Sequence, residues 1–83
     1  PEAQDYKDAV CRLLALTPQP RSKIDHLLLP KLAMWIPDAP KRKEYVKGLL
    51  AEMARQGTIR NIGKPTRGAL WALIAPMSAK ENQ

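Results

Sequence analysis

The order of predicted elements is helix, helix, helix, strand, basic loop, strand, and it predicts an α+β domain. Three observations support this class: helix-period apolar stripes in the first two thirds, a glycine that ends the third stripe, and two β-rich segments around the loop GKPTRG. With 83 residues, of which 45% are hydrophobic, the chain can form one modest core. We therefore expect a three-helix bundle followed by a two-stranded antiparallel hairpin.

The first predicted helix runs from Asp5 to Leu16. Its apolar residues recur at spacings of three and four, which is typical of an amphipathic helix: Tyr6, Ala9, Val10, Leu13 and Leu14. The segment Thr17 to Pro20 follows with two prolines, each of which lacks an amide donor and restricts the residue before it. We interpret this segment as a connector.

The second predicted helix begins near Ser22, whose hydroxyl can accept a hydrogen bond from the amide of Asp25. Pro30 interrupts the apolar pattern after about two turns. It either ends the helix or occupies the first position of a further turn that includes Trp35. Both alternatives are compatible with the pattern.

The third helix is predicted over Ala39 to Gln56, with Asp38 as its N-terminal cap and Gly57 as its left-handed C-terminal residue. Its buried stripe is expected to consist of Val46, Leu49, Leu50 and Met53. Strands are predicted over Thr58 to Ile62 and Ala69 to Ile74, where β-branched residues and Trp71 occur. The domain then spans residues 5–75, with residues 1–4 disordered and residues 76–83 as a flexible tail.

Positive charge is concentrated in the second half of the chain. From Lys41 to Arg67 there are eight Lys or Arg and two acids, a balance of +6 that equals the net charge of the whole molecule. Residues 1–40 carry five acids and five bases and are neutral. Such an asymmetry indicates a polyanionic partner more specifically than the total charge does.

The individual cations predict a nucleic-acid surface. Lys43 and Lys47 are one helical turn apart and face away from the apolar stripe. Cations in the first turn of a helix are unfavourable next to the positive end of the helix dipole, so helix stability does not explain their presence at the start of the third helix. Binding of a phosphate at this helix end would explain it. The candidate contacts are Lys41, Arg42, Lys43, Lys47, Arg60, Lys64 and Arg67. The alternative reading is a solvated charge cluster together with an edge hairpin kept soluble by its charges.

At this point the residues resemble a known family. The run VKGLLAEMARQGTIRNIGKPTRGALWALI is similar to the second half of a winged helix-turn-helix DNA-binding domain. The resemblance to the whole domain covers roughly Tyr6 to Ile74. The hairpin also looks like those of Z-form nucleic-acid-binding and linker-histone globular domains, with Trp71 at the tryptophan of the former. Lys47 and Ala51 stand where that first group has asparagine and tyrosine, and Pro65 is the one wing proline. The resemblance implies a winged helix that presents its third helix to duplex DNA and its loop as a wing.

A second interpretation starts from the apolar segment Leu27 to Ile36, which holds more large hydrophobic residues than a short helix can easily bury. Trp35 is either core or part of an exposed patch there, so a winged-helix scaffold that binds a protein partner is the alternative function. Structured RNA is a further alternative for the basic surface.

Several function classes are not expected. The sequence has no phosphate-binding loop, no nucleophile elbow and one histidine, His26, so neither an enzyme nor a small-molecule substrate is predicted. One histidine and the single cysteine, Cys11, cannot supply the usual soft ligands of a metal site, and no cofactor is expected. Cys11 is interpreted as a small core residue in a reducing, intracellular compartment. No membrane span is predicted.

Overall fold

The computed structural model describes residues 2–74, which form three helices and one antiparallel sheet. The elements are α1 (Ala3–Leu16), β1 (Gln19–Pro20), α2 (Arg21–Leu32), α3 (Ala39–Arg55), β2 (Ile59–Asn61) and β3 (Leu70–Leu73). The α+β class is confirmed, and the arrangement is compatible with a helical bundle that carries a β-hairpin wing. The tail predicted over residues 76–83 lies outside the described residues.

The sheet has a third strand that the sequence analysis did not predict. Its order is β1-β3-β2, so the central strand is β3, and Gln19 lies opposite Trp71 while Pro20 lies opposite Leu70. The predicted connector Thr17 to Pro20 thus contains an edge strand. Pro20 disfavours helical backbone at the preceding Gln19, and proline is tolerated at a sheet edge, where a missing amide disrupts little pairing. The expected hairpin forms between β2 and β3, with Ile59 opposite Leu73.

Helix α1 begins at Ala3, two residues before the predicted start. The Asp5 carboxylate accepts a hydrogen bond of 3.2 Å from the amide of Glu2, and the Asp5 amide donates to the Glu2 carbonyl at 2.9 Å. These reciprocal hydrogen bonds satisfy backbone amides that have no acceptor within the helix at its N-terminus. Residues 3 and 4, predicted to be disordered, therefore belong to the helix.

Helix α2 differs from its prediction at both ends. It starts at Arg21 with Pro20 at the N-cap position, and no side chain caps it, so the predicted Ser22 cap is wrong. The pairing of Pro20 with Leu70 holds that residue extended, and the helix begins directly after it. Pro30 neither ends the helix nor starts a new turn but lies inside it. Leu28 and Leu32, both fully buried, hold the chain helical on either side of the proline.

Helix α3 follows its prediction closely. The Asp38 carboxylate caps it by accepting a 3.1 Å hydrogen bond from the amide of Lys41. At the other end Gly57 has φ +80, a left-handed conformation that glycine adopts without strain. The amide of Thr58 donates to the Met53 carbonyl at 2.9 Å, which ties the entry of β2 to the last turn of α3.

The core lies between the three helices and one face of the sheet. The predicted apolar stripe of α3 is entirely buried, and Ile59 of β2 belongs to the same buried cluster. The buried residues are Tyr6, Ala9, Val10, Leu14, Ile24, Leu28, Leu32, Val46, Leu49, Leu50, Met53 and Ile59. Trp71 and Cys11 are half-buried and pack against this cluster, and burial raises the pKa of the Cys11 thiol above its ordinary value.

Candidate nucleic-acid interface

Helix α3 presents its cations on the face opposite the core. Lys43 and Lys47 are both exposed, while Val46, between them in sequence, is fully buried. The guanidinium of Arg21 donates a 2.9 Å hydrogen bond from Nη2 to the Lys43 carbonyl. This bond places the first turn of α2 beside the basic face of α3. The same guanidinium pairs through Nε with Asp25 at 2.8 Å, which fixes its orientation.

The α2 start adds a cation that the sequence analysis did not select. Lys23 is exposed in the first turn of α2, two residues after Arg21, which donates to the Lys43 carbonyl of α3. No sequence signal separated Lys23 from the other bases of the neutral half of the chain. The packing of α2 against α3, where Arg21 donates to the Lys43 carbonyl, places the first turn that carries Lys23 beside α3.

Lys41 lies exposed in the first turn of α3, and its amide is already capped by Asp38. Its side chain has no hydrogen bond or ion pair within residues 2–74. The carboxylate of Asp38 offsets part of the positive dipole end at this position. The ammonium of Lys41 is therefore available to an external anion.

Arg42 has a structural task that the sequence did not reveal. Its Nη1 donates hydrogen bonds of 2.9 Å to the carbonyls of both Ile36 and Pro37, in the connector before the helix. The side chain is half-buried, unlike those of Lys41 and Lys43. One edge of the guanidinium is therefore engaged by the protein itself, and Arg42 holds the connector against α3.

Replacing Arg42 with alanine should lower the free energy of unfolding by about 1 to 2 kcal/mol, because two carbonyls lose a charged donor. Thermal unfolding followed by circular dichroism measures the loss. Lys41→Ala is the matched control and should change stability by no more than roughly 0.5 kcal/mol, since that side chain is exposed and makes no hydrogen bond or ion pair within residues 2–74. Equal stabilities of the two variants would show that the Arg42 bonds contribute nothing.

The side chain of Asn61 joins the two ends of the loop between β2 and β3 by hydrogen bonds. Its side-chain Oδ1 accepts hydrogen bonds from the amides of Gly63, at 2.9 Å, and Leu70, at 3.0 Å. Beyond these, the amides of Arg67 and Gly68 both donate to the Lys64 carbonyl, at 2.9 and 3.0 Å. The tip is thus a closed turn, and its base is clamped by one side chain.

The turn displays the two loop cations at its ends. Lys64 and Arg67 are exposed, and Pro65 follows Lys64 at the position where proline favours a tight turn. Gly68 has φ +91, which lets the chain re-enter β3 without strain. Because the loop is ordered by its own hydrogen bonds, the backbone that carries these cations has little conformational freedom to lose on binding.

Gly63→Ala should disrupt the loop. A Cβ at this position would lie 2.1 Å from the Gly68 carbonyl oxygen and 2.7 Å from the Leu70 amide nitrogen, and both are backbone atoms. The loop has to open, which breaks the Asn61 clamp, and we expect about 2 kcal/mol of destabilisation. Backbone amide chemical shifts would report it over residues 61–70. Gly48→Ala is the control, since a Cβ there meets nothing within 4 Å.

Two further cations lie in sequence between the basic face of α3 and the loop. Arg60 is exposed in the middle of β2, opposite Ala72 of β3. Arg55, which the sequence analysis counted but did not select, is exposed in the last turn of α3. It lies eight residues after Lys47, roughly 12 Å along the helix axis. Arg55 is the cation of α3 that lies nearest in sequence to the loop between β2 and β3.

The structure does not link the two groups of predicted cations by direct contact. Within residues 2–74, the side chains of Lys64 and Arg67 make no hydrogen bond or ion pair. The groups are related through the backbone instead, because β2 starts at the end of α3 and contacts it.

A separate exposed region lies between α2 and α3. Met34 is 79% exposed and Trp35 58% exposed, whereas Ile36 in the same connector is half-buried against the core. Of the alternatives for Trp35, the exposed patch is therefore correct. Leu27 and Leu29 are half-buried, so the exposed large hydrophobic residues of the segment Leu27 to Ile36 are Met34 and Trp35.

Comparison of the chain with protein-family profiles, with curated proteins and with solved structures returned no match. No helix among residues 2–74 combines the length and the apolar character needed to cross a membrane. In the same range, no three His, Cys, Asp or Glu residues are grouped as metal ligands would be.

Proposed function

We propose that this domain is a winged helix that binds duplex DNA mainly through phosphate contacts, with α3 in the major groove and the loop from Gly63 to Gly68 as the wing. The observation that carries the proposal is which charged residues form ion pairs within the domain. Within residues 2–74 the two ion pairs are Lys7 with Glu52 and Arg21 with Asp25. The seven predicted contact residues take part in neither, so no carboxylate of the described residues forms an ion pair with them.

The order of elements supports the same proposal. Helices α2 and α3 are consecutive and in contact, and α3 leads directly into the hairpin that carries the wing. In a helix-turn-helix protein the second helix of such a pair lies in the groove while the first crosses the backbone. Lys23 at the start of α2 would then face a phosphate beside those contacted by Lys43 and Lys47.

Base reading is expected to be weak. Asn, Gln and Arg make the bidentate contacts that distinguish bases, and the arginine at the start of α3 already donates to Ile36 and Pro37. The middle of the exposed face carries Gly48 and Ala51, which have no polar side-chain atoms. Affinity should therefore depend more on phosphates than on sequence.

If about five cations touch phosphates, the logarithm of the association constant should fall with the logarithm of salt concentration at a slope of roughly −4 to −5. Fluorescence anisotropy with a labelled duplex at several salt concentrations measures this slope. Removing one contact, for example with Lys64→Ala, should make the slope shallower by about one. Binding that is independent of salt would contradict the proposal.

The second candidate function is a protein-interaction scaffold, and the exposure of Met34 and Trp35 favours it. An amide chemical-shift titration with a short duplex separates the two candidates. Shifts confined to Lys41 to Lys47 and Gly63 to Gly68 support DNA binding, whereas no shift at saturating duplex refutes it. Competition with an RNA duplex of equal length tests the structured-RNA alternative.

A further inference from the structure

The connector between α2 and α3 holds a tryptophan on the outside of the molecule. Burying an indole against the core would stabilise the fold by a large apolar area. Here the inward position is taken by Ile36, which is half-buried, and Trp35 remains 58% exposed beside the exposed Met34. More than half of the Trp35 surface is therefore left outside the core.

The exposed indole is held on a rigid backbone. The amides of Trp35 and Ile36 both donate to the Leu32 carbonyl, at 3.0 and 2.8 Å. Arg42 donates to the carbonyls of Ile36 and Pro37, so the connector is bonded to the helix before it and to the helix after it. A partner that binds here would order little additional chain, which preserves affinity.

The segment of the chain that carries this indole is rich in positive charge. From Lys31 to Lys43 there are four cations and one carboxylate, that of Asp38, which is occupied as the helix cap of α3. Lys31 and Lys41, on either side of the connector in sequence, are both exposed. An aromatic face flanked by cations matches a nucleotide, which has a π-face and a phosphate, better than it matches a neutral apolar protein surface.

We propose that Trp35, with Met34 beside it, stacks on an unpaired base of a nucleic acid strand whose phosphates lie against Lys31 and Lys41. Bases inside a duplex are covered on both faces by their neighbours, so only a single-stranded flank or an opened end offers a free face. The inference rests on the proposed nucleic-acid function and adds the form of the ligand, a duplex that continues into a single strand.

The test compares two labelled DNA molecules by fluorescence anisotropy: a blunt 12-base-pair duplex and the same duplex with a three-nucleotide thymine overhang. Stacking of one base should make the overhang duplex bind about tenfold more tightly than the blunt one. In Trp35→Ala this advantage should disappear while affinity for the blunt duplex is unchanged. Trp35→Phe keeps an aromatic face and should retain most of the advantage.

Leu16→Ala is the matched control, since it removes another exposed hydrophobic side chain, 85% exposed at the end of α1. It should keep the full overhang advantage. Equal binding of the two DNA molecules by the unaltered protein overturns the inference, as does a Trp35→Ala variant that weakens both equally. Self-association lost in Trp35→Ala without any change in DNA affinity also overturns it and assigns the patch to a second copy.

Adding a labelled thymine single strand as a third DNA molecule separates this inference from the proposed duplex function. Failure to bind the blunt duplex, with a thymine single strand still bound in a manner dependent on Trp35, would refute the duplex function and support stacking. Salt-dependent duplex binding with no effect of the overhang would support the duplex function and refute stacking. Absence of binding to all three DNA molecules refutes both.

Discussion

Reversing two charges on α3, in the variant Lys43→Glu/Lys47→Glu, should lower affinity for duplex DNA by roughly 100-fold near 0.1 M salt. Each reversal removes a phosphate contact and adds a repulsive carboxylate, and two lost contacts of about 1 kcal/mol each are amplified by that repulsion. Both side chains are exposed, so the midpoint of thermal unfolding should hardly change. Anisotropy titration of variant and unaltered protein measures the effect.

A pair of single reversals controls for net charge. Lys47→Glu and Arg12→Glu change the charge of the molecule equally, and Arg12 is an exposed residue of α1 that belongs to no predicted contact. If binding depends on this surface, Lys47→Glu should weaken it about tenfold and Arg12→Glu by a factor of roughly two, through long-range attraction alone. Equal losses would mean that total charge, and not the face of α3, determines retention on DNA.

Truncating Leu50 to alanine should lower the free energy of unfolding by roughly 3 kcal/mol. Leu50 is 1% exposed and lies on α3 in the middle of the buried stripe, so the change leaves a cavity among residues packed from all three helices. Domains of this size have total stabilities of about 5 kcal/mol or somewhat more, so such a loss leaves little margin. Urea unfolding followed by circular dichroism gives the value.

The same substitution at Leu16 provides the comparison, because that leucine is 85% exposed at the end of α1. Leu16→Ala should alter stability by less than about 0.5 kcal/mol, although both variants remove the same atoms. A large loss in Leu16→Ala, or a small one in Leu50→Ala, would show that the described core is not the one that stabilises the protein.

The helices and the hairpin were predictable because their determinants are local. The stripe that ends at Met53 has helical periodicity, Asp38 and Gly57 have the chemistry of a cap and a left-handed stop, and the two strands flank a turn-forming loop. The predicted limits of α3 differ from the observed ones by a single residue at its C-terminal end. Apolar periodicity and terminal chemistry depend only on residues close in sequence, so one chain suffices to interpret them.

The errors occurred where a distant segment changes the local preference. Gln19 and Pro20 read as a connector in isolation and form a strand only because β3, about fifty residues later, pairs with them. That pairing also moves the start of α2 ahead of Ser22. Pro30 is a helix breaker by its own chemistry, yet the burial of Leu28 and Leu32 keeps α2 helical through it.

For the candidate site, the sequence alone determined which segment is basic and which faces of α3 are apolar and charged. The tertiary structure decided the roles of individual residues. It engages Arg42 with two carbonyls of the connector, clamps the wing with Asn61, and leaves Trp35 outside the core. The physical reason is that composition and periodicity are properties of a short window, whereas the partner of a guanidinium, an amide or an indole depends on which parts of the chain meet in space.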